Sequence, residues 1–284
     1  MLWMAATGLL FTVLNALMKK LAHELDPWLV GFLRYLLGAL VMLAPALRLG
    51  TIALWSKAPR LQLLRCLFHA GGMLLWFAAL PLVTITELTA IGFSGPLFIC
   101  LGAVLFLHER MTRVRWMAVL VGFAGVLLVL KPWQGPGFTG ISTGMLLMLA
   151  ASPVFAGSFL VAKMLTRHDR SDVIVLWQHL LVSLLLAPFA FFWWLQPSFG
   201  QWALLLLCGF LGAGGHYCMI RAFRVADISA VQSVKFLELV WAAILGLALF
   251  GTVPAVWTVA GGMVILVSTV WLARHESRSV GRVA

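Results

Sequence analysis

Charge is what this 284-residue sequence has least of. Lys, Arg, Asp and Glu together make up 10% of it, and only nine residues are acidic, against about 25% charged residues in an ordinary soluble domain. That shortage excludes a soluble globular fold. Cysteine is sparse as well: Cys66, Cys100, Cys208 and Cys218 fall in or beside apolar stretches, and none belongs to a C-x-x-C pair. A disulfide framework and a cysteine-rich metal cluster are thereby excluded. The sequence has no H-E-x-x-H, no nucleophile motif and no acidic cluster for a divalent ion, so neither a metal nor any other cofactor is expected.

What fills the chain instead is apolar. Hydrophobic residues reach 63% and the mean hydropathy is +1.04. Ten segments of the length needed to cross a bilayer, about 20 residues, are read at 2–18, 28–47, 61–80, 84–107, 114–130, 140–162, 173–195, 201–221, 228–250 and 255–273. Turn formers separate them: Asp26-Pro27, Ala58-Pro59, Lys131-Pro132, Gln196-Pro197 and Gly251 through Pro254. The reading is an all-α membrane protein of ten transmembrane helices. Its loops are too short for a soluble catalytic domain, so the function resides in the membrane-embedded helices. The apolar stretch from Leu2 to Met18 lacks the basic n-region and cleavage site of a signal peptide and reads as the first transmembrane helix.

The net charge of +11 does not point to nucleic acid, because the basic residues never gather in a cluster interleaved with aromatics. It marks topology. With the amino terminus inside, the inner connections hold Arg48, Lys57, Arg60, Arg65, Arg110, Arg113, Arg115, Lys163, Arg167, Arg170, Arg221, Arg224, Arg274, Arg278 and Arg282. The outer connections hold only Lys19, Lys20 and Lys131. Both termini are therefore predicted to be cytoplasmic, in the bacterial inner membrane, although Lys19 and Lys20 alone favour the opposite insertion of the first helix.

The two halves align at a constant offset. Lys20 falls on Lys163, Ala44-Pro45 on Ala187-Pro188, and Ala70-Gly71-Gly72 on Ala213-Gly214-Gly215; one residue further on, Leu101-Gly102 meets Leu245-Gly246 and Leu105-Phe106 meets Leu249-Phe250. Five spans per half force the second copy to start from the opposite face, which makes the copies, 1–131 and 140–275, inverted repeats. The charges agree: the basic connection from Arg48 to Arg65 corresponds to the stretch from Trp194 to Gln201, which has no Lys or Arg. Inverted repeats of this kind characterise secondary transporters, with the solute site near the midplane.

Three segments carry a resemblance. Gly92 to Phe98 (GFSGPLF), Leu105 to Arg110 (LFLHER) and Gly122 to Leu130 (GFAGVLLVL) resemble the EamA domain of the drug/metabolite transporter superfamily, and the first two also look like sequences grouped with S-adenosylmethionine uptake carriers. The resemblance covers both halves. It implies a basket in which helices 1 to 4 and 6 to 9 surround a central cavity while helices 5 and 10 pack together outside it. It also implies solutes that are amino-acid-like, nucleoside-like or cofactor-like. The second copy departs from the pattern: Val253 stands near the position of Glu109, and Glu238 near that of Gly95 or Pro96.

Residues with reason to face the path come next. Lys235 and Glu238 lie in the ninth span, three apart and hence on one helical face. They either neutralise each other as a structural pair, or bind an anionic and a cationic group of a solute, with Glu238 also able to carry a coupling proton. Ala242 and Gly246 continue that face and leave room beside the charges. Arg34, in the second span, either satisfies carbonyls or pairs with Glu87 as a structural contact or an outer gate. His69, His179 and His216 lie well inside spans 3, 7 and 8 and either bridge helices or shuttle protons and hold solute. Trp76, Tyr217 and Trp241 are mid-span aromatics that either pack or stack on a flat solute. Asn15 and Gln178 read as bridges between helices. The function expected is transport of a small amphipathic or zwitterionic metabolite by alternating access, with protons as a coupling ion and lipids as surroundings. The alternative is a membrane-embedded enzyme acting on a lipid-linked or small-molecule substrate.

Overall fold

The computed structural model describes residues 1–47, 54–79, 82–83, 91–130, 142–192, 194–250 and 256–280. Among these residues the fold is all helix: α1 Leu2–Leu21, α2 Pro27–Leu47, α3 Pro59–Ala79, α4 Gly95–Leu107, α5 Arg113–Leu130, α6 Thr143–Leu165, α7 Ser171–Phe192, α8 Phe199–Val225, α9 Ile228–Lys235, α10 Leu237–Phe250 and α11 Val256–Val280. Six stretches within them are long and apolar enough to cross a membrane, at Pro27–Ala44, Thr143–Leu165, Ser171–Phe192, Phe199–Val225, Ile228–Leu245 and Val256–His275, and shorter apolar helices run over Leu2–Met18 and Gly95–Leu107. Helices α8 and α11 outrun the segments read from hydropathy, because an apolar run marks what lipid covers and not where helical hydrogen bonding stops.

The starts of the helices are written locally. Asp26 Oδ1 accepts from Trp28 N at 2.8 Å with Pro27 in the first turn, where its missing N–H costs nothing. Ser142 Oγ accepts from Met145 N at 3.2 Å. Ser198 and Gln201 form a capping box, Oγ accepting from Gln201 N and Oε1 from Ser198 N.

Two stretches differ from the sequence reading. The ninth span is not one helix: it breaks at Phe236 between α9 and α10. There Phe236 N donates to Ser233 O at 3.4 Å and Leu239 N to Phe236 O at 3.2 Å, a three-residue turn that keeps positions three apart aligned. The Phe236 ring is fully buried with Cys100, Val119, Val126 and Ile265, and that anchoring accounts for the tight turn. Arg65, counted above with the inner loops, is not in a loop. It is fully buried within α3, nearly two turns from its start, where its long side chain finds polar partners on α7.

Contacts divide the chain into two units. The first comprises Leu2–Ala70 and Val161–Val225, and so holds α1, α2, α7, α8, the first half of α3 and the end of α6. Small residues let its helices approach. A Cβ on Gly209 would lie 2.8 Å from Gly38 N, joining α8 to α2, and one on Gly215 would lie 2.5 Å from the Phe11 ring of α1. A polar clasp gathers at Asp169, whose carboxylate accepts from Ser56 Oγ, Lys57 N and Gln62 Nε2, while its carbonyl accepts from Arg224.

The second unit comprises Gly71–Leu160 and the chain from Ala226 onward. Its closest seam joins α5 to α11, the pairing of spans 5 and 10 that the resemblance implies: a Cβ on Gly261 would lie 2.5 Å from Gly125 O, and one on Gly125 2.9 Å from Gly261 O. Pro96 sits in the first turn of α4, not in its middle. At the other end of α4, His108 adopts a left-handed φ of 55° and Glu109 N bonds back to Ala103 O at 3.0 Å. That turn aims Glu109 at the start of α9. Its Oε1 accepts from Ile228 N at 2.9 Å, and its Oε2 accepts from Ser229 N at 3.1 Å and Ser229 Oγ at 2.6 Å. A carboxylate there satisfies orphan amides and meets the positive end of the helix. Arg115 adds an ion pair to Asp227 at 2.9 Å.

Candidate functional site

In the first unit, α2, α3, α7 and α8 bring Tyr35, His69, His179 and His216 into one buried cluster. Their exposures are 1%, 6%, 0% and 5%. Tyr35 Oη lies 2.6 Å from His69 Nε2, so one of the two donates to the other. The rings meet edge-on or tilted: His69 and His216 at 6.0 Å between centroids, His179 and His216 at 5.5 Å, with Tyr35 at 5.1 Å from His179. Phe11 of α1 closes the group against His216 at 5.0 Å.

Local sequence explains the convergence. Gly38 lies one turn after Arg34 on α2, and a Cβ there would run into the His179 ring. Only glycine lets that imidazole reach α2. His179 Nδ1 is fixed by the Val175 carbonyl at 2.9 Å, which leaves Nε2 against Gly38 of α2. The Nε2 of His179 and the Nδ1 of His216 are buried with no hydrogen-bond partner among the described residues. No group of three or more His, Cys, Asp or Glu among the described residues has a geometry that could hold a metal ion.

Two guanidinium groups border these rings. Arg34, 6% exposed, stacks over the Tyr35 ring with Cζ 3.8 Å from its centroid and packs against Gly212 of α8, one turn before His216. Arg65 lies one turn before His69 on α3. Its Nη1 donates to Ile174 O at 3.2 Å, and its Nη2 donates to the Gln178 side chain. Gln178 thus links α7 to α3, the bridging role read from the sequence. Glu87 lies outside the described residues, and with it the Arg34–Glu87 pair. Tyr217 is half-buried beside His216.

The other sequence candidates belong to the second unit. Lys235 and Glu238 stand on either side of the Phe236 break, both partly exposed. The Lys235 ammonium sits 5.2 Å from the centroid of the Phe159 ring, close enough for a cation–π contact. Trp241 buries its Nε1 without a hydrogen-bond partner, and Trp76 is half-buried. Ala242 is exposed.

Sequence reasoning reached all three histidines but treated them one by one. It passed over Tyr35 and Arg65. The available signal for Tyr35 was a phenol adjoining an intramembrane arginine in a chain with only two tyrosines.

The EamA-like transporter family matches residues 1–131 and 142–274. The chain is similar to the riboflavin transporter of Rhizobium johnstonii, 32% identical over 285 residues, which spans 98% of this chain and 91% of the relative. It is also similar to the S-adenosylmethionine uptake transporter of Rickettsia bellii, 27% identical over 268 residues, spanning 94% of this chain and 91% of the relative. A protein of known crystal structure shares the fold, with a TM-score of 0.82 over 98% of this chain and 97% of its own at 18% identity. Two family matches over nearly the whole length, on an all-helical apolar chain, place this protein in the EamA-like transporter family, as an integral membrane transporter and not an enzyme.

Proposed function

We propose that the chain carries a small metabolite with a flat heteroaromatic ring and polar substituents across the bacterial inner membrane. Transport proceeds by alternating access between two inverted five-helix repeats, 1–131 and 140–275, with ten transmembrane spans and both termini cytoplasmic. The observation that carries this reading is the buried Tyr35–His69–His179–His216 cluster. Ionisable groups this deep in an apolar helical unit are costly and mark solute or proton pathways. Imidazole and phenol rings supply both stacking faces and hydrogen bonds, the two things a heteroaromatic solute needs.

The relatives support the chemical class: one is named for riboflavin and another for S-adenosylmethionine, and both compounds contain such a ring system. His69, His179 and His216 hold the solute or relay a proton. Lys235, Glu238, Trp76, Tyr217 and Trp241 complete the solute-contacting set, with Arg34 and Glu87 as a gate and Glu238 as a second proton site. Counterflow in proteoliposomes tests the reading. Vesicles preloaded with riboflavin or S-adenosylmethionine are expected to take up the labelled compound unchanged. Recovery of a chemically altered product, or uptake no faster than in empty vesicles for both compounds, would overturn it.

A further inference from the structure

The first unit carries two interior guanidinium groups, and among the described residues no carboxylate meets them. Its only acidic residues are Glu24, Asp26, Asp169 and Asp172, and each is engaged elsewhere. Glu24 accepts from Gln201, Asp26 caps α2, Asp169 holds the clasp, and Asp172 pairs with Arg170 at 2.6 Å. Among the described residues neither Arg34 nor Arg65 has a carboxylate partner. Arg34 rests on the face of Tyr35, and Arg65 has one carbonyl and one amide oxygen.

Donors without acceptors complete the picture. The Nε of Arg34, the Nε of Arg65 and the amide Nε2 of Gln178 are all buried with no hydrogen-bond partner. Arginine stays protonated in protein interiors, so these positive charges cannot be discharged by losing a proton. Desolvated charges without counter-charges are strongly unfavourable, and the planar guanidinium suits carboxylate and phosphate oxygens above other acceptors.

We infer that Arg34 and Arg65 supply the binding site for an anionic group, a carboxylate or a phosphate, on the transported solute, with the adjoining histidine cluster receiving the solute's ring. Arg34 lies on the Tyr35 ring and reaches α8 one turn before His216, and Arg65 reaches the α7 residue next to His179 in sequence, so both charges adjoin the cluster. The inference rests on the transport reading for what the solute is. The anion site itself stands on the unmatched charges.

Binding to the purified protein in a nonionic detergent, without vesicles, tests it. The probes are two pairs sharing a ring: flavin mononucleotide with riboflavin, and S-adenosylmethionine with methylthioadenosine. In at least one pair the member bearing the phosphate or carboxylate is expected to bind tenfold or more tightly. Arg34→Gln is expected to erase that preference while keeping the other member's affinity, and Arg34→Lys to retain some of it, both variants eluting as folded monodisperse protein. If Arg34→Gln fails to fold, salt dependence of the wild-type preference replaces it, the anion-bearing member alone weakening as salt rises. Equal affinities in both pairs, a preference that survives Arg34→Gln or is indifferent to salt, or no binding by any probe would overturn the inference. Stabilisation by added phosphatidylglycerol with no preference among the solutes would assign the anion to lipid and overturn it too. Counterflow separates this from the transport reading: neutral solutes carried without anion preference sink the anion site alone.

Discussion

Gly261→Leu is expected to leave little folded protein in the membrane. Gly261 meets Gly125 across the α5–α11 seam, and a Cβ there would come 2.5 Å from the Gly125 carbonyl oxygen and 2.6 Å from Val129 Cγ2. The obstacle is backbone, which no rotamer change can move aside. Replacing glycine in a helix normally gains up to about 1 kcal/mol of helix propensity. Overpacking a tight interface costs about 1–3 kcal/mol and sometimes more, and here a whole isobutyl group must push apart a pair of helices whose approach depends on small residues. The clash wins. The check is the yield of monodisperse protein and its apparent melting temperature in detergent, with Gly262→Leu as the control, since a Cβ at Gly262 meets only Val240 Cγ2 at 3.9 Å.

Tyr35→Phe is expected to slow counterflow about 10–100-fold with little change in folding. The substitution keeps the ring, and with it the contact under Arg34 and the tilted contact with His179, and removes only the hydroxyl that lies 2.6 Å from His69 Nε2. An unmade hydrogen bond of about 1–3 kcal/mol that is used in the transition state of transport, and not in holding the resting fold, slows the rate about tenfold for each 1.4 kcal/mol. Initial rates at matched amounts of folded protein decide it. A purely structural hydroxyl would lower the melting temperature and leave the rate per folded molecule unchanged.

Much of the helical architecture was legible because a bilayer imposes a simple rule: apolar runs of fixed length with turn formers between them. The turn formers Asp26-Pro27 and Gln196-Pro197 marked the starts of α2 and α8 to within a few residues. What could not be read was how polar residues on different helices converge. Lys235 and Glu238 drew attention because two charges three apart stand out in one apolar stretch. The histidine cluster is assembled from four helices, so no sequence window contains it. Arg65 was counted with the inner basic connection although the third span was read from residue 61, because a count of basic residues near span ends has no way to register a guanidinium folded inward. Phe236 gave no warning of the break in the ninth span either, since its anchor, Gly122 with its neighbours on α5, is far away in sequence.

Glu109 shows the same limit from the other side. The motif that carries it was visible, but its purpose was not, because the amides it caps belong to Ile228 and Ser229.

The claim that a solute is handled by the Tyr35 and histidine rings has one direct measurement. Of the seven histidines, His69, His179 and His216 are buried in the cluster, whereas His23, His108, His168 and His275 are exposed. Imidazole nitrogen-15 spectra of histidine-labelled protein in lipid nanodiscs, recorded with and without a solute shown by counterflow to be transported, therefore report on the two groups separately. The expected result is that the three interior resonances move on saturation while the four exposed ones stay. Saturation by a transported solute that leaves the three interior resonances unmoved would contradict the site.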